Sequence, residues 1–355
     1  MIKLAIGPQA NAPSWNWVGF DTLRELSKYF NVEAFSHEPP ECDLVIYVKQ
    51  PPKNFPATNP TKILYLPIDY FENPESIQAS AGFLKSCAAI GCHCERLMPH
   101  MQPYCKDVFF IEHHGKYTLP QINQFKRDGY VLWIGSMEYV VYLLKWLQIH
   151  PVGPELRLAT NYLSRSGTQK CLALAEKLDL KINISDTHIN EYRVIYWSER
   201  SQFRAMREAR AALDIKAGPW LLESNAVSLE KSPANRPRTD SDVFHDDIQN
   251  QIWYQQLKPP TKAQKFVASG IPFATNQDSY SFEHLKKNGF TLSLPQDQQW
   301  WFSEEYWRST AAHAAELRRL TSLEYVGLQY KAVIERIVQQ SPDIVPDISE
   351  AVSKP

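Results

Sequence analysis

Short apolar segments alternate with amphipathic segments along most of this chain, and no other feature constrains its fold as strongly. Segments rich in Val, Ile, Leu and Phe are typical of strands buried on both faces of a sheet. Repeated strand–helix–strand units predict parallel sheets covered by helices. The predicted strands are residues 2–7, 32–36, 42–48, 62–69, 87–93, 107–113, 130–136, 155–161, 181–185, 212–218, 271–276 and 290–295.

The pattern occurs twice, on either side of a polar segment without periodicity. We therefore predict an α/β protein with two tandem Rossmann-like domains. The predicted units are a first domain at 1–114, a linker at 115–129, a second domain at 130–320, a helix at 321–341 that can pack back on the first domain, and a weakly ordered tail at 342–355. The predicted helices are 19–30, 74–86, 94–103, 137–149, 168–178, 198–211, 261–269, 301–320 and 322–340.

One long polar segment, 220–260, interrupts the second domain. A loop of that length inside a domain is uncommon, and such loops are usually functional or mobile. We expect this segment to be a functional or mobile insertion between two core elements.

Composition narrows the class of protein. The chain has 355 residues, 44% of them hydrophobic and 22% charged, with a formal net charge of -1. These values predict a soluble, cytoplasmic globular protein without a broad surface for nucleic acid or anionic membranes. No apolar run is long enough to cross a bilayer, and the first residues are typical of a strand, not of a signal peptide.

A metal site is not expected. The Cys92-His93-Cys94 run has the ligand types of zinc, but adjacent strand residues point to opposite faces and the spacing is too short for one ion. Buried free thiols are the expected state of the six cysteines. The Asp246-Asp247 pair is expected to be solvated.

Ligands of parallel sheets bind where strands end, because helix N-termini present free N–H groups there. No G-x-G-x-x-G or P-loop pattern is present, which disfavours nicotinamide, flavin and P-loop nucleotide binding. The residues that follow predicted strands include Asp69, His93, His113-His114, Gly135-Ser136, Thr160-Asn161, Lys216 to Gly218 and Asn276 to Ser281.

The segment KPPTKAQKFVASGIPFATN, residues 258–276, predicts a short helix with Thr261 as N-cap and Gly270 as C-cap. Lys262 then lies in the first turn, where a positive side chain is unfavourable against the helix dipole. This placement is expected if an anion such as phosphate binds there, and Lys265 can share the same face. The alternative is a pair of solvated surface lysines.

Residues 262–273, KAQKFVASGIPF, resemble the K-x-x-E-x-x-A-x-G-x-P-V helix of GT-B glycosyltransferases of the family 1 and family 4 type. YVLWIGS at 130–136, VFFIEHHG at 108–115 and SFEHLKKNGFTLSLP at 281–295 resemble neighbouring segments of that family. The resemblance implies GT-B architecture with a central cleft. It also implies transfer of a sugar from a nucleotide-diphosphate sugar to a carbohydrate or other small acceptor, with no further cofactor.

The site residues implied by this resemblance fall into three groups. The donor side comprises Gly135, Ser136, Thr160, Asn161, Thr261, Lys262, Lys265, Tyr280 and Ser281; the acceptor-side loop comprises Trp17 and Gly19; the candidate proton acceptors are Asp69 and His93. Each has a structural alternative: Asp69 can cap a helix near 73, His93 can be a hydrogen-bonded core residue, and Trp17 can be packing.

The chain departs from the family at a pair of glutamates spaced eight apart. Leu257 and Lys265 occupy the matching positions, so an ammonium replaces the carboxylate that would hold the ribose. Two alternatives follow: a binding or partner protein of the same shape without catalysis, and another sugar-nucleotide enzyme such as an epimerase.

Overall fold

The computed structural model of the chain contains two six-stranded sheets among the residues that it describes, which are 1–52, 62–161, 165–224 and 240–339. All strand pairs of the first sheet are parallel, in the order β2-β1-β3-β4-β5-β6. Its strands are β1 Lys3–Gly7, β2 Asn31–Ala34, β3 Leu44–Val48, β4 Lys62–Leu66, β5 Ala89–Cys92 and β6 Val108–Phe110.

The second sheet has the order β12-β11-β7-β8-β10-β9 and is parallel except for its edge pair β9–β10. Its strands are β7 Tyr130–Gly135, β8 Leu156–Thr160, β9 His188–Ile189, β10 Tyr192–Tyr196, β11 Ala209–Asp214 and β12 Phe273–Thr275. The prediction of an α/β protein with two tandem parallel sheets is confirmed.

Helices cover both sheets. They are α1 Phe20–Leu26, α2 Pro74–Ala79, α3 Ala81–Ser86, α4 Met98–Met101, α5 Val140–Ile149, α6 Arg165–Lys177, α7 Glu199–Glu208, α8 Trp220–Ser224, α9 Asp240–Gln256, α10 Thr261–Ala268, α11 Tyr280–Lys287, α12 Gln298–Trp301, α13 Glu304–Leu320 and α14 Leu323–Gln339. A π-helical turn, Trp15–Gly19, precedes α1. Among the described helices, none combines the length and apolarity that a membrane span requires.

The last helix, α14, belongs to the core of the first sheet although it follows the second sheet in sequence. Its buried Tyr330 and Ile334 pack in one cluster with Leu4 and Ile6 of β1. Burial of each such side chain stabilises the fold by about 1.5–3 kcal/mol. Gly327 lets α14 approach Glu25 of α1 closely, because a Cβ there would overlap the Glu25 side chain.

Several predicted boundaries were wrong. Residues 181–185 and 290–295 form only isolated bridges, Ile184–Ile189 and Ala274–Ser293, whereas β10 had been missed. Strand β10 lies next to the edge of its sheet and is only partly buried, so it lacks the continuous apolar run that identifies central strands.

The predicted insertion at 220–260 is partly helical. Residues 240–256 form α9 and contribute Ile248 to the core of the second sheet. The prediction of a loop over the whole segment was therefore wrong. Residues 225–239 and the predicted tail at 342–355 lie outside the described residues.

Candidate active site in the interdomain cleft

A cavity of about 510 Å³ lies between the carboxyl ends of the two sheets. Residues from both halves of the chain line it, as expected for parallel sheets that face each other. From the first half it includes Trp17, Lys49, Ile68, Asp69 and His113; from the second half it includes Gly135, Ser136, Tyr139, Asn161, Trp197, Lys216, Tyr254, Lys258, Thr261, Lys262 and Lys265.

The charge centre of the second-half wall is the Asp214 carboxylate, which ends β11 and is buried. Lys262 Nζ lies 2.8 Å from its Oδ1 atom, and Lys216 Nζ lies 3.2 Å from its Oδ2 atom. The indole N–H of Trp133 donates to Oδ1 at 3.2 Å. We call Lys216, Asp214 and Lys262 the lysine–aspartate triad; it has two ammonium groups for one carboxylate.

Burial and mutual attraction set the protonation of the triad. Burial lowers the pKa of Lys262 to about 8, and the Asp214 charge only partly offsets this shift. Burial raises the pKa of the Asp214 carboxyl, but the charges of Lys216 and Lys262 outweigh it and hold this pKa below its ordinary value. The triad therefore keeps a net positive charge at neutral pH that faces the cavity.

The helix that carries Lys262 differs in detail from the prediction. Its N-cap is Pro260, with no side-chain cap, so Thr261 is the first helical residue and not the cap. Its C-cap is Ser269, and Gly270 follows with a φ of 77°. That left-handed backbone explains why glycine occurs there, one position beyond the observed C-cap, whereas Gly270 itself had been predicted as the cap.

Lys265 has a different environment from Lys262 on the same helix. Its Nζ donates to Gln202 Oε1 at 3.0 Å and lies 5.3 Å from the centre of the Tyr117 ring. Within the described part of the chain it makes no ion pair. Burial, and then the charge of Lys262, lower the pKa of Lys265 to about 8.

A second ion pair spans the cleft. Lys258 Nζ, from the second half, lies 3.8 Å from Asp69 Oδ1, from the first half, and also lies over the rings of Tyr139 and Tyr254. Burial lowers the pKa of Lys258, but the charge of Asp69 and the two tyrosines outweigh it and raise this pKa above its ordinary value. Lys258 is thus a permanent cation in the wall.

Two residues of the first-half wall have a left-handed backbone conformation. Lys49, after β3, has a φ of 65°, and Asp69, after β4, has a φ of 46°. Residues held in such sparsely populated conformations cluster at functional sites. The alternative that Asp69 caps the next helix is wrong, because Asn73 is the N-cap of α2 and accepts from Ser76 N at 2.8 Å.

Two histidines near this wall have different positions. His93 is buried, its Nδ1 donates to Ile111 O at 2.8 Å, and the Tyr330 hydroxyl donates to its Nε2 at 3.2 Å. His113 borders the cavity, and its Nδ1 donates to His114 O at 3.1 Å, which leaves the Nε2 lone pair available. Burial holds the pKa of His113 well below its ordinary value, so the imidazole is neutral.

The other predicted donor residues divide into two sets. Gly135, Ser136 and Asn161 line the cavity, whereas Thr160 is fully buried behind Asn161. Tyr280 and Ser281 are buried away from the cavity lining; the Tyr280 hydroxyl accepts from Glu95 N at 3.1 Å, in the contact between the two halves.

Of the two predicted acceptor-side residues, one lines the cavity and the other does not. Trp17 lines the cavity, and its indole N–H donates to His114 O at 2.9 Å. Gly19 ends the π-helical turn and packs against the Trp15 ring, where a Cβ would overlap that ring. Gly19 therefore positions the turn and does not line the cavity.

Asp214 was not among the predicted site residues, and no role was predicted for His113, Lys258 or Trp197. Asp214 was placed inside a strand predicted to run to residue 218, whereas β11 ends at Asp214 itself. The available signal was a charged residue that directly follows the short apolar run AAL at 211–213, since ligands of parallel sheets bind where strands end.

Metal ligation has little support in the described residues. No group of three or more His, Cys, Asp or Glu side chains there is arranged to hold a metal ion. All six cysteines are free, and burial raises the pKa of the Cys92 thiol.

No protein family model and no curated protein matches the chain in sequence. Solved structures do match its fold. The Anabaena Alr3699/HepE structure in complex with UDP and glucose has a TM-score of 0.56 and 10% identity, covering 95% of this chain and 100% of that one. The HepE complex with UDP-glucose has a TM-score of 0.54 and 9% identity over the same shares of the two chains.

AviGT4, a glycosyltransferase involved in avilamycin A biosynthesis, has a TM-score of 0.50 and 12% identity, covering 95% of this chain and 98% of that one. These similarities extend over almost the whole chain. They show that the protein has the GT-B fold.

Proposed function

We propose that the protein is a glycosyltransferase that binds a nucleotide-diphosphate sugar in the interdomain cleft and transfers the sugar to an acceptor. The observation that carries this proposal is the excess of cations around one cavity. Five lysine ammonium groups line it, whereas the carboxylates in contact with them, among the described residues, are those of Asp69 and Asp214. A pyrophosphate group offers the complementary charge.

The start of α10 is the proposed pyrophosphate position. Its first-turn N–H groups and the Lys262 ammonium converge on the cavity, and both favour an anion. Gly135 allows this arrangement, because a Cβ there would lie 3.0 Å from Lys262 Nζ and 2.5 Å from the Trp133 ring. In the reaction, Lys262 and Lys216 stabilise the negative charge of the departing nucleoside diphosphate.

The position of Lys265 affects which donor group binds beside it. An ammonium cannot accept hydrogen bonds from ribose hydroxyls, but its side chain can donate to phosphate or carbonyl oxygens. We place this ammonium against the α-phosphate side of the donor. UDP-glucose is the first donor to test, because HepE has been solved with it.

Two groups of the first-half wall can accept the proton of an acceptor hydroxyl. The Asp69 carboxylate is already in contact with the Lys258 ammonium, at 3.8 Å. His113 is neutral and its Nε2 lone pair has no hydrogen-bond partner among the described residues. We assign the proton acceptor to His113 and keep Asp69 as the competing candidate.

Thermal unfolding with UDP, GDP, UDP-glucose and GDP-glucose tests the proposal. A ligand at 100 times its Kd adds about 2.7 kcal/mol to stability, so a matching nucleotide raises the Tm measurably. The increase should shrink in Lys262→Ala and persist in Lys170→Ala, which removes an exposed lysine of α6. A folded protein whose Tm does not respond to any of these nucleotides contradicts the proposal.

A second candidate function is nucleotide-sugar binding without transfer. It is favoured by the existing ion pairs, since Asp69 is held by Lys258 and Lys262 by Asp214 before any ligand binds. A Tm increase with UDP-glucose, without release of glucose or UDP over hours in the presence of simple sugar acceptors, supports this second candidate.

A further inference from the structure

A second concave region lies on the outer side of α7, away from the cleft. A groove of about 800 Å³ separates α7 from the segment 121–126. A neighbouring groove of about 610 Å³ shares Arg200 and Arg204 with it and adds Arg157 and Arg193. We call the two together the α7 groove.

The arginines of α7 in this groove are unpaired. Arg200, Arg204 and Arg207 are exposed and lie three or four positions apart, so they occupy one face of the helix. None of the three makes an ion pair or hydrogen bond with another described residue. By contrast, Arg308 and Arg319 on α13 pair with glutamates at 2.7 Å.

This arrangement opposes the stability of the helix. Like charges at these spacings are destabilising, and Arg200 lies in the first turn, where the helix dipole disfavours a cation. The helix is nevertheless fixed in place by the Ser198–Ser201 capping box and by burial of Ala205 and Met206. One carboxylate, that of Glu208, also lines the groove, and it lies 3.9 Å from Arg157 Nη1. A row of three arginines held rigidly without an ion pair among the described residues is the expected form of a surface that meets an anionic ligand.

The remaining lining of the groove limits the kind of anion that would fit there. Gln121, Asn123 and Gln124 present exposed carboxamides, which both donate to and accept from hydroxyl groups. Phe203 adds a partly buried ring on which a sugar face can pack. Arginine binds carboxylate, sulfate or phosphate groups through two parallel hydrogen bonds.

We propose that the α7 groove binds a linear anionic oligosaccharide, with its acidic groups on Arg200, Arg204 and Arg207 and its hydroxyls on the carboxamides of 121–124. This proposal deepens the proposed function and rests on it. The opposite face of α7 reaches the cleft, where Gln202 contacts Lys265 at 3.0 Å. A single helix therefore separates the groove from the proposed donor site, and an acceptor chain bound in the groove lies within reach of the cleft.

Two other polyanions fit less well. A single-stranded nucleic acid needs a series of aromatic faces for its bases. In the described groove Phe203 provides one, whereas the Tyr130 ring is covered by the Arg157 guanidinium at 3.9 Å. An anionic membrane is flat and favours apolar side chains that insert, and none of the large exposed apolar residues described lines this groove.

The test measures binding of a fluorescently labelled oligogalacturonate to the full chain by anisotropy at low ionic strength. The methyl-esterified chain of the same length is the uncharged control ligand. The variant is Arg200→Gln/Arg204→Gln/Arg207→Gln. The matched control, Arg24→Gln/Arg308→Gln/Arg319→Gln, removes the same charge from other helices. UDP binding is measured on every preparation.

We expect the parent and the control to bind oligogalacturonate, the groove variant to bind it at least tenfold more weakly, and none to bind the esterified chain. Added salt should weaken the parent more steeply than the groove variant, because fewer counterions are released when arginines are missing. UDP affinity should be the same in all three proteins.

Failure of oligogalacturonate to bind, or equal weakening in both triple variants, overturns the proposal. Tighter arginine-dependent binding of oligouridylate or of phosphatidylglycerol vesicles overturns it in favour of nucleic acid or membrane. If the protein binds the oligosaccharide normally but binds no nucleotide, the result supports the proposed role of the α7 groove and contradicts the glycosyltransferase proposal.

Discussion

The two walls of the cleft differ in how they handle charge. The second-half wall concentrates cations around one buried carboxylate, Asp214, and holds them in ion pairs and against aromatic rings. The first-half wall offers a neutral imidazole, an indole and two residues with left-handed backbone, Lys49 and Asp69. In the proposed function, the second-half wall binds the negatively charged diphosphate and the first-half wall accepts the proton of the acceptor hydroxyl.

Under the proposed function, this difference assigns charge stabilisation to one wall and proton transfer to the other. Cations that are fixed before the ligand arrives do not have to reorganise when negative charge develops on a leaving group. A proton acceptor must instead be deprotonated with a free lone pair, which for an imidazole means the neutral form. The two requirements conflict within a single cluster, so their separation onto two sheets that meet at a cleft is chemically favourable.

The largest expected effect is on His113, the proposed proton acceptor of the first-half wall. His113→Ala should lower kcat by about 10²–10⁴-fold, the usual contribution of a general base, and leave UDP affinity unchanged. Initial rates with UDP-glucose and an identified acceptor measure this. If Asp69→Asn loses the activity and His113→Ala keeps it, the assignment moves to Asp69.

Removing the carboxylate of the lysine–aspartate triad should destabilise the protein. Asp214→Asn leaves Lys216 and Lys262 facing each other without a counter-charge, and breaking a buried pair in this way costs about 3–5 kcal/mol. Urea unfolding measures the loss. Asp69→Asn is the comparison, and it should cost about 1 kcal/mol or less because its carboxylate is partly exposed. Equal losses in the two variants would contradict the contrast between the walls.

Nucleotide affinity should depend on the second-half wall. Lys262→Ala should weaken UDP binding by about tenfold or more, since a hydrogen bond to a charged group contributes about 1.5–3 kcal/mol. The affinity for uridine, which has no phosphates, should be the same in Lys262→Ala as in the parent. Isothermal titration with both ligands, and with Lys170→Ala as control, measures this. A parallel loss for uridine would show that Lys262 does not contact the phosphates.

The smallest effect concerns Lys265 and pH. Its pKa is lowered to about 8 in the folded protein, so between pH 8 and 10 the folded state binds fewer protons than the unfolded chain. Its charge therefore opposes folding at neutral pH, and the opposition fades as pH rises through 8. Lys265→Met should be more stable than the parent at pH 7, and the difference should narrow by pH 9.

Urea unfolding of both proteins at pH 7, 8 and 9 measures this difference directly. Lys170→Met, on the exposed face of α6, should show no such pH dependence. A stability difference that is the same at pH 7 and 9 would mean that Lys265 stays protonated throughout.

Much of the fold was predictable because its signals are local. The apolar runs LVIYV and YVLWIG are continuous and identify β3 and β7, both of which are almost entirely buried. Strand β10 was missed because a partly exposed strand near a sheet edge has a weaker local signal. The start of α10 was predicted to within one residue, since Pro260 and Gly270 mark its ends.

The site was less predictable because side-chain partners come from distant parts of the sequence. Lys262 meets Asp214, 48 positions away, and the sequence holds no local sign of that pair. His93 and His113 both follow predicted strands, yet one is buried behind the other, and that order depends on how β5 and β6 end. Only the register of the sheet decides which of the two histidines borders the cavity.

By itself, the sequence determined the alternation of strands and helices, their division into two parallel sheets, and a lysine in the first turn of a helix at a strand-bound loop. Each of these follows from periodicity and turn chemistry within a few residues. The tertiary structure alone decided that Lys262 is shared with Asp214 and Lys216, that Lys258 reaches Asp69 across the cleft, and that α14 completes the first core. These contacts depend on the twist, register and docking of segments far apart in the chain, which short-range patterns do not encode.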